Sequence, residues 1–157
     1  MTRRSRFLLA LLIPCLAWAA WQWFRPYEWA PDPAALAKIN FSQVRRDRDY
    51  HWLDVRVRIL DPARHDLSKG VALVFPDGRE KRPDGLTLEG QGESGLDADG
   101  PSLAHVEAIS FRFWMEPGDL SGPLQLQLND GLLKVRSKSG PPELEDGETE
   151  TFYTCRW

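Results

Sequence analysis

The hydrophobic rhythm of the chain changes along its length. From Phe7 to Phe24 it reads FLLALLIPCLAWAAWQWF, eighteen residues without a charge. From Trp52 onward the period becomes two: in WLDVRVRIL, Leu53, Val55, Val57 and Ile59 alternate with Asp54, Arg56 and Arg58. Successive side chains leave a strand on opposite sides, so strict alternation predicts a strand with one buried and one wet face. The same pattern recurs in the apolar run Val71 to Phe75, in Leu86-Thr87-Leu88, in ISFRFWM from Ile109 to Met115, in Leu124, Leu126 and Leu128, and in a last stretch from Thr149 to Arg156.

Turn chemistry separates these segments. Asp-Gly occurs at 77–78, 84–85, 99–100, 130–131 and 146–147, and that dipeptide is favoured where a hairpin needs positive φ. Phe75-Pro76-Asp77-Gly78-Arg79 and Leu128-Asn129-Asp130-Gly131-Leu132 predict two explicit hairpins. Short strands at roughly ten-residue spacing with few helical stretches predict a mainly β fold, an antiparallel β-sandwich of immunoglobulin-like architecture with about seven to eight short strands. The Cys, Trp and Cys spacing of true immunoglobulin domains is absent.

The uncharged run sets the domain organisation. Arg3, Arg4 and Arg6 precede it, and basic charge ahead of an apolar segment keeps the N-terminus in the cytoplasm while the rest is exported. Ala17-Trp18-Ala19 offers a signal-peptide cut before Ala20. The apolar run continues past that cut, however, giving about 27 Å of helix at ~1.5 Å per residue, close to the thickness of a hydrocarbon core. Trp21, Trp23, Phe24, Tyr27 and Trp29 then form an aromatic belt suited to the membrane interface. The expected organisation is therefore a cytoplasmic basic tail (1–6), a transmembrane anchor or signal (7–24), a membrane-proximal linker (25–50) and an extracytoplasmic sandwich (51–157). Within the linker, Asp32 and Pro33 predict the cap and first position of a short helix running to Ile39. Arg45-Arg46-Asp47-Arg48-Asp49 reads as a solvated mixed-charge stretch.

Charge narrows the partners. Removing Arg3, Arg4, Arg6 and Arg25 from the 20 basic residues leaves 16 against all 23 acids, a formal charge of −7 beyond Arg25. So acidic a domain is ill suited to phosphate-backbone contacts, and no nucleic-acid partner is expected. Cys15 and Cys155 stand at opposite ends of the chain and offer no disulfide framework; Cys155 reads as a small apolar residue of the last strand.

The apparent chemical motifs fail on inspection. Gly90-Gln91-Gly92-Glu93-Ser94-Gly95 matches G-x-G-x-x-G, but the following Leu96-Asp97-Ala98-Asp99-Gly100-Pro101 cannot start the helix that would meet a pyrophosphate. Residues 90–102 read instead as a surface loop. Aligning Gly100 with the turn glycine of a calcium loop puts Gly95 and Val106 at ligand positions that need side-chain oxygens. His51, His65 and His105 show no metal-ligand spacing.

Two tryptophans stand out as a tentative interaction surface, Trp52 and Trp114. Trp114 is out of phase with Phe111 and Phe113, so an ideal strand would point it to the wet face, where it could stack a sugar or a partner's side chain. A bulge or strand end would turn it inward, the commoner fate of tryptophan. The leading expectation is a non-catalytic, membrane-anchored sandwich domain without cofactor, held in the bilayer by 7–24 at the cell inner (cytoplasmic) membrane, single-pass with its C-terminal domain in the periplasm, contacting another envelope protein or an envelope polymer. Two rival readings are a small envelope enzyme or metal-dependent hydrolase whose residues converge only in three dimensions, around His65, His105 and the acidic loop, and a carbohydrate-binding module using Trp114 and a neighbouring aromatic.

Overall fold

A computed structural model describes residues 3–66, 68–90 and 106–157. Nine strands form two antiparallel sheets that pack as a sandwich: β1 (Ala37–Asp47), β2 (Tyr50–Ile59), β3 (Ala72–Val74), β4 (Glu80–Lys81), β5 (Gly85–Gly90), β6 (Val106–Met115), β7 (Leu124–Leu128), β8 (Gly131–Arg136) and β9 (Thr149–Phe152). The larger sheet has the order β5-β6-β2-β1-β9 and the smaller β4-β3-β7-β8. The chain visits them alternately, two strands at a time, until β9 closes the far edge of the larger sheet.

Alternation accounts for the core. Leu53, Val55, Val57 and Ile59 of β2 and Ile109, Phe111, Phe113 and Met115 of β6 line the inner face of the larger sheet. Leu73, Leu124, Leu126, Leu128, Leu133 and Val135 come from the smaller sheet. Burying such a side chain fully is worth about 1.5–3 kcal/mol, which makes this two-layer contact the main source of stability.

Three expectations change. Residues 37–47, assigned from sequence to the linker, form β1, the longest strand; the helix predicted to run to Ile39 is a single 3-10 turn over Pro33–Ala35. Its start is as expected, with Asp32 accepting a hydrogen bond from the Ala34 amide at 3.0 Å, but Leu36 adopts a left-handed conformation and ends it. Second, the described residues form nine strands, not seven or eight. Third, positive φ in the β7–β8 hairpin belongs to Asn129, not Gly131. Gly131 begins β8, and a Cβ there would lie 2.2 Å from the Ala35 amide nitrogen; the glycine lets the 3-10 turn lie against the strand. Gly78 and Gly147 do take positive φ, as Asp-Gly turns require.

Helix α1 covers Arg3–Trp23 and contains Pro14. Among the described residues no helix is long and apolar enough to cross a membrane. Leu11, Leu12, Ile13, Leu16 and Trp18 are exposed on it.

A 3-10 turn over Tyr27–Trp29 fastens the segment after α1 to the sandwich. The Tyr27 hydroxyl donates to the Val135 carbonyl, so it accepts from Ser42 Oγ (2.6 Å) and from the Trp157 indole N–H (2.9 Å). Burial pushes the phenol well above its ordinary pKa. Trp157 stacks on Phe152 with ring centroids 4.5 Å apart. Beside it, buried Arg136 donates to main-chain oxygens of Leu120, Gly122, Gly140 and Trp157. This fork crosses between loops that no strand pairing connects.

Candidate functional site

The outer face of the larger sheet carries the molecule's most distinctive surface. Cross-strand register places Trp52 directly opposite Trp114 and next to Arg45, so Arg45, Trp52 and Trp114 form one row across β1, β2 and β6. The ring centroids of the two tryptophans are 5.2 Å apart, and Tyr50 meets Trp114 edge-on at 5.0 Å. Trp114 is 42% exposed and Tyr50 43%. Such pairs contribute about 0.5–1.5 kcal/mol beyond their burial. They hold each other in place while leaving ring surface open to solvent.

The adjoining rows are charged. Arg112 grips Asp54 with both ends of its fork, Nε–Oδ1 2.7 Å and Nη2–Oδ2 2.9 Å, and its guanidinium lies 5.9 Å from the Trp52 ring. Asp54 raises the pKa of Arg112 through that hydrogen bond. Asp84 accepts from the Trp114 amide at 2.7 Å and fixes the strand end there. In the next row Arg56 lies over the Phe41 ring at 5.5 Å and pairs with Glu89 on β5. Among the described strand positions, Lys38, Arg45, Arg56, Arg58 and Arg112 thus share the outer face with Asp47, Asp54 and Glu89. A cationic, aromatic face on an otherwise acidic domain is a local arrangement that net charge conceals.

Two depressions follow this face. One of about 400 Å³ runs between Phe41, Asp54, Arg56, Thr87, Ser110 and Arg112. The other, of about 780 Å³, lies toward the opposite end of β2 from the tryptophans, between Asn40, Arg56, Arg58, Glu89 and Glu107. Arg56 and Glu89 line both. A separate pocket of about 310 Å³ is framed by the linker, with Arg25, Trp29, Lys134 and Cys155 in its wall.

The remaining candidates scatter. His51 is buried on the inner face of β2, opposite Met115, and burial together with nearby Arg46 lowers its pKa. His65 lies in the turn after β2, with Nδ1 2.7 Å from the Asn129 amide nitrogen. Among the described residues no three His, Cys, Asp or Glu side chains gather to hold a metal. His105, the G-x-G-x-x-G segment beyond Gly90 and the acidic loop lie outside the described residues. Cys155 is half-buried and follows β9 instead of lying in it.

Strand phase pointed Trp114 to the wet face, and it lies there, 42% exposed, instead of turning inward as is commoner for tryptophan. Phase did not locate Tyr50, Arg45 or Asn40, which join the site only through register with neighbouring strands. Compared with family models, curated proteins and solved structures, the chain matches none.

Proposed function

We propose that this protein is a membrane-tethered, non-catalytic binding domain of the cell envelope, which uses the outer face of its larger sheet to hold another envelope component. The observation that carries the reading is the exposed aromatic ladder of Tyr50, Trp114 and Trp52 joined to arginine-bearing rows. Exposed tryptophan and tyrosine flanked by arginine is the composition of binding hot spots. The described side chains of this face offer stacking, charge and hydrogen bonding.

The wider reading is an immunoglobulin-like sandwich carried by an N-terminal transmembrane helix, with its domain on the periplasmic side. Strand order supports the first part: β1-β2-β6-β5 facing β4-β3-β7-β8 follows the order A-B-E-D facing C′-C-F-G, with β9 added beside A. The uncharged run of 7–24, the arginines before it and the aromatic belt after it support the second. The carbohydrate-binding reading keeps a specific support in the exposure of Trp114.

Crosslinking of the tagged full-length chain in its native membranes tests the proposal. The expected result is a specific envelope component whose recovery falls about tenfold or more in the Trp114→Ala variant, as loss of a hot-spot aromatic would give. Recovery that ignores both Trp114→Ala and Trp52→Ala, or turnover of a small substrate by the purified chain, would overturn it.

A further inference from the structure

The pocket framed by the linker differs in charge from the depressions on the sheet. It encloses about 310 Å³ between the end of α1, the segment after it, β8 and the residues that follow β9, a volume at the small end of ligand sites, ~300–1,000 Å³. Arg25, Lys134 and Arg156 line it, and no aspartate or glutamate is among its described lining residues. Adding Glu28, whose side chain lies outside those described, would still leave three basic residues to one acidic. On the outer sheet face, by contrast, Asp54, Glu89 and Glu107 stand beside the arginines of the two depressions.

The pocket's polar groups are within reach of a solute. Arg25, Lys134 and Arg156 are all exposed, and Arg25 is held over the Trp29 ring at 5.8 Å. Ser137 Oγ donates to the Cys155 carbonyl at 2.9 Å, so a ligand in the pocket meets its lone pairs, an acceptor for a hydroxyl. Ammonium and guanidinium groups without an acid between them suit a phosphate, through charge-assisted hydrogen bonds.

Position selects the source of that phosphate. Gln22, in the last turn of α1, and Trp29 both line the pocket, and Trp29 meets Trp21 of α1 at 5.2 Å. If residues 7–24 hold the chain in a bilayer, the tryptophans after them stand at the headgroup level, and the pocket stands there with them. Beyond Arg25 the chain carries 16 basic against 23 acidic residues, so an anionic bilayer would repel the domain. Cations gathered where the domain joins its tether reverse that repulsion locally, and the phosphates present at that depth are those of the lipids.

We infer that this pocket binds the headgroup of an anionic phospholipid, its phosphate paired with Lys134 and Arg25 and a headgroup hydroxyl donating to Ser137. The inference rests on the tether reading and leaves the outer sheet face free for its envelope partner.

Titration of the full-length chain in an uncharged detergent with dihexanoyl-phosphatidylglycerol, and separately with dihexanoyl-phosphatidylcholine, tests it. The glycerol lipid should bind about tenfold more tightly or better, and its affinity should fall as salt is raised. Lys134→Gln and Arg25→Gln should each weaken it about tenfold and keep the wild-type circular dichroism. Arg82→Gln, an exposed change outside the pocket, should leave it unaltered. The exposed position of Lys134 on β8 makes that variant informative even if Arg25→Gln disturbs the linker. Equal affinity for the two lipids, equal affinity for inorganic phosphate, or a Lys134→Gln variant that binds the glycerol lipid normally would overturn the inference. Intact mass of the membrane-extracted protein separates the two readings. Any of those failures in a chain that keeps residues 1–19 removes the headgroup site and leaves the tether, whereas a chain beginning at Ala20 removes both.

Discussion

Asn129 decides what His65 can do. Its Oδ1 accepts from the Asp66 amide at 3.0 Å, so its nitrogen faces the Ala35 carbonyl (2.8 Å) and His65 Nδ1. Nδ1 must therefore accept, and a proton placed there would meet an N–H already pointing at it. Burial, with a smaller opposing pull from Asp66, lowers the His65 pKa, and burial with Arg46 lowers that of His51. With the folded-state values below the unfolded 6.5, the unfolded chain takes up protons first as the medium is acidified. Stability is thus complete above about pH 7 and declines as pH falls from about 6.5 through the lower folded-state values. Urea midpoints measured from about pH 7.5 to about pH 5 should drop, and the drop should shrink in His65→Gln. A midpoint flat over that range would contradict this account.

Among the elements, β1 shows where a sequence pattern stops being legible. Ala37 and Ile39 point inward, Asn40 is an extra residue, and the inward positions then resume at Ser42 and Val44. The bulge breaks period two, and one of the resumed inward residues is polar because its hydroxyl serves Tyr27. A strand read from alternation is lost under both conditions, whereas β2, β7 and β6 from Ile109 onward, with unbroken alternation, could be read directly. The candidate site divides in the same way: the phase of Trp114 is local, but its union with Trp52, Tyr50 and Arg45 depends on register, which no single strand encodes. Gly131 extends the point to packing between elements. Its sequence context marks a turn, yet its role is to let the 3-10 turn Pro33–Ala35 approach β8. Gly131→Ala should lower stability by about 1–3 kcal/mol through overpacking. Gly70→Ala, with no atom near the added methyl, should change it by less than about 0.5 kcal/mol. Equal urea midpoints for the two variants would show that the close approach is not a constraint.

At the scale of the whole molecule, the segment between α1 and β1 determines how the binding face would stand relative to a membrane. A free linker would let the sandwich turn in any direction. Instead the Tyr27 amide donates to the Tyr153 carbonyl at 3.2 Å, its hydroxyl joins Ser42, Val135 and Trp157, and Trp29 meets Trp21 of α1 with ring centroids 5.2 Å apart. The first fixed point of the sandwich is thus three residues beyond Phe24. A helix held in the bilayer through 7–24 would present the domain at the membrane surface without a stalk, its Trp29 and exposed Phe24 at headgroup level. A chain cut before Ala20 would keep the Tyr27 contacts but lose the apolar run that could hold it, and would wash away. The tether therefore predicts that protein extracted from membranes after a high-salt wash retains residues 1–19 by intact mass. A salt-released species beginning at Ala20 would exclude the anchor and leave a free binding domain whose outer face no longer has a membrane to define its direction.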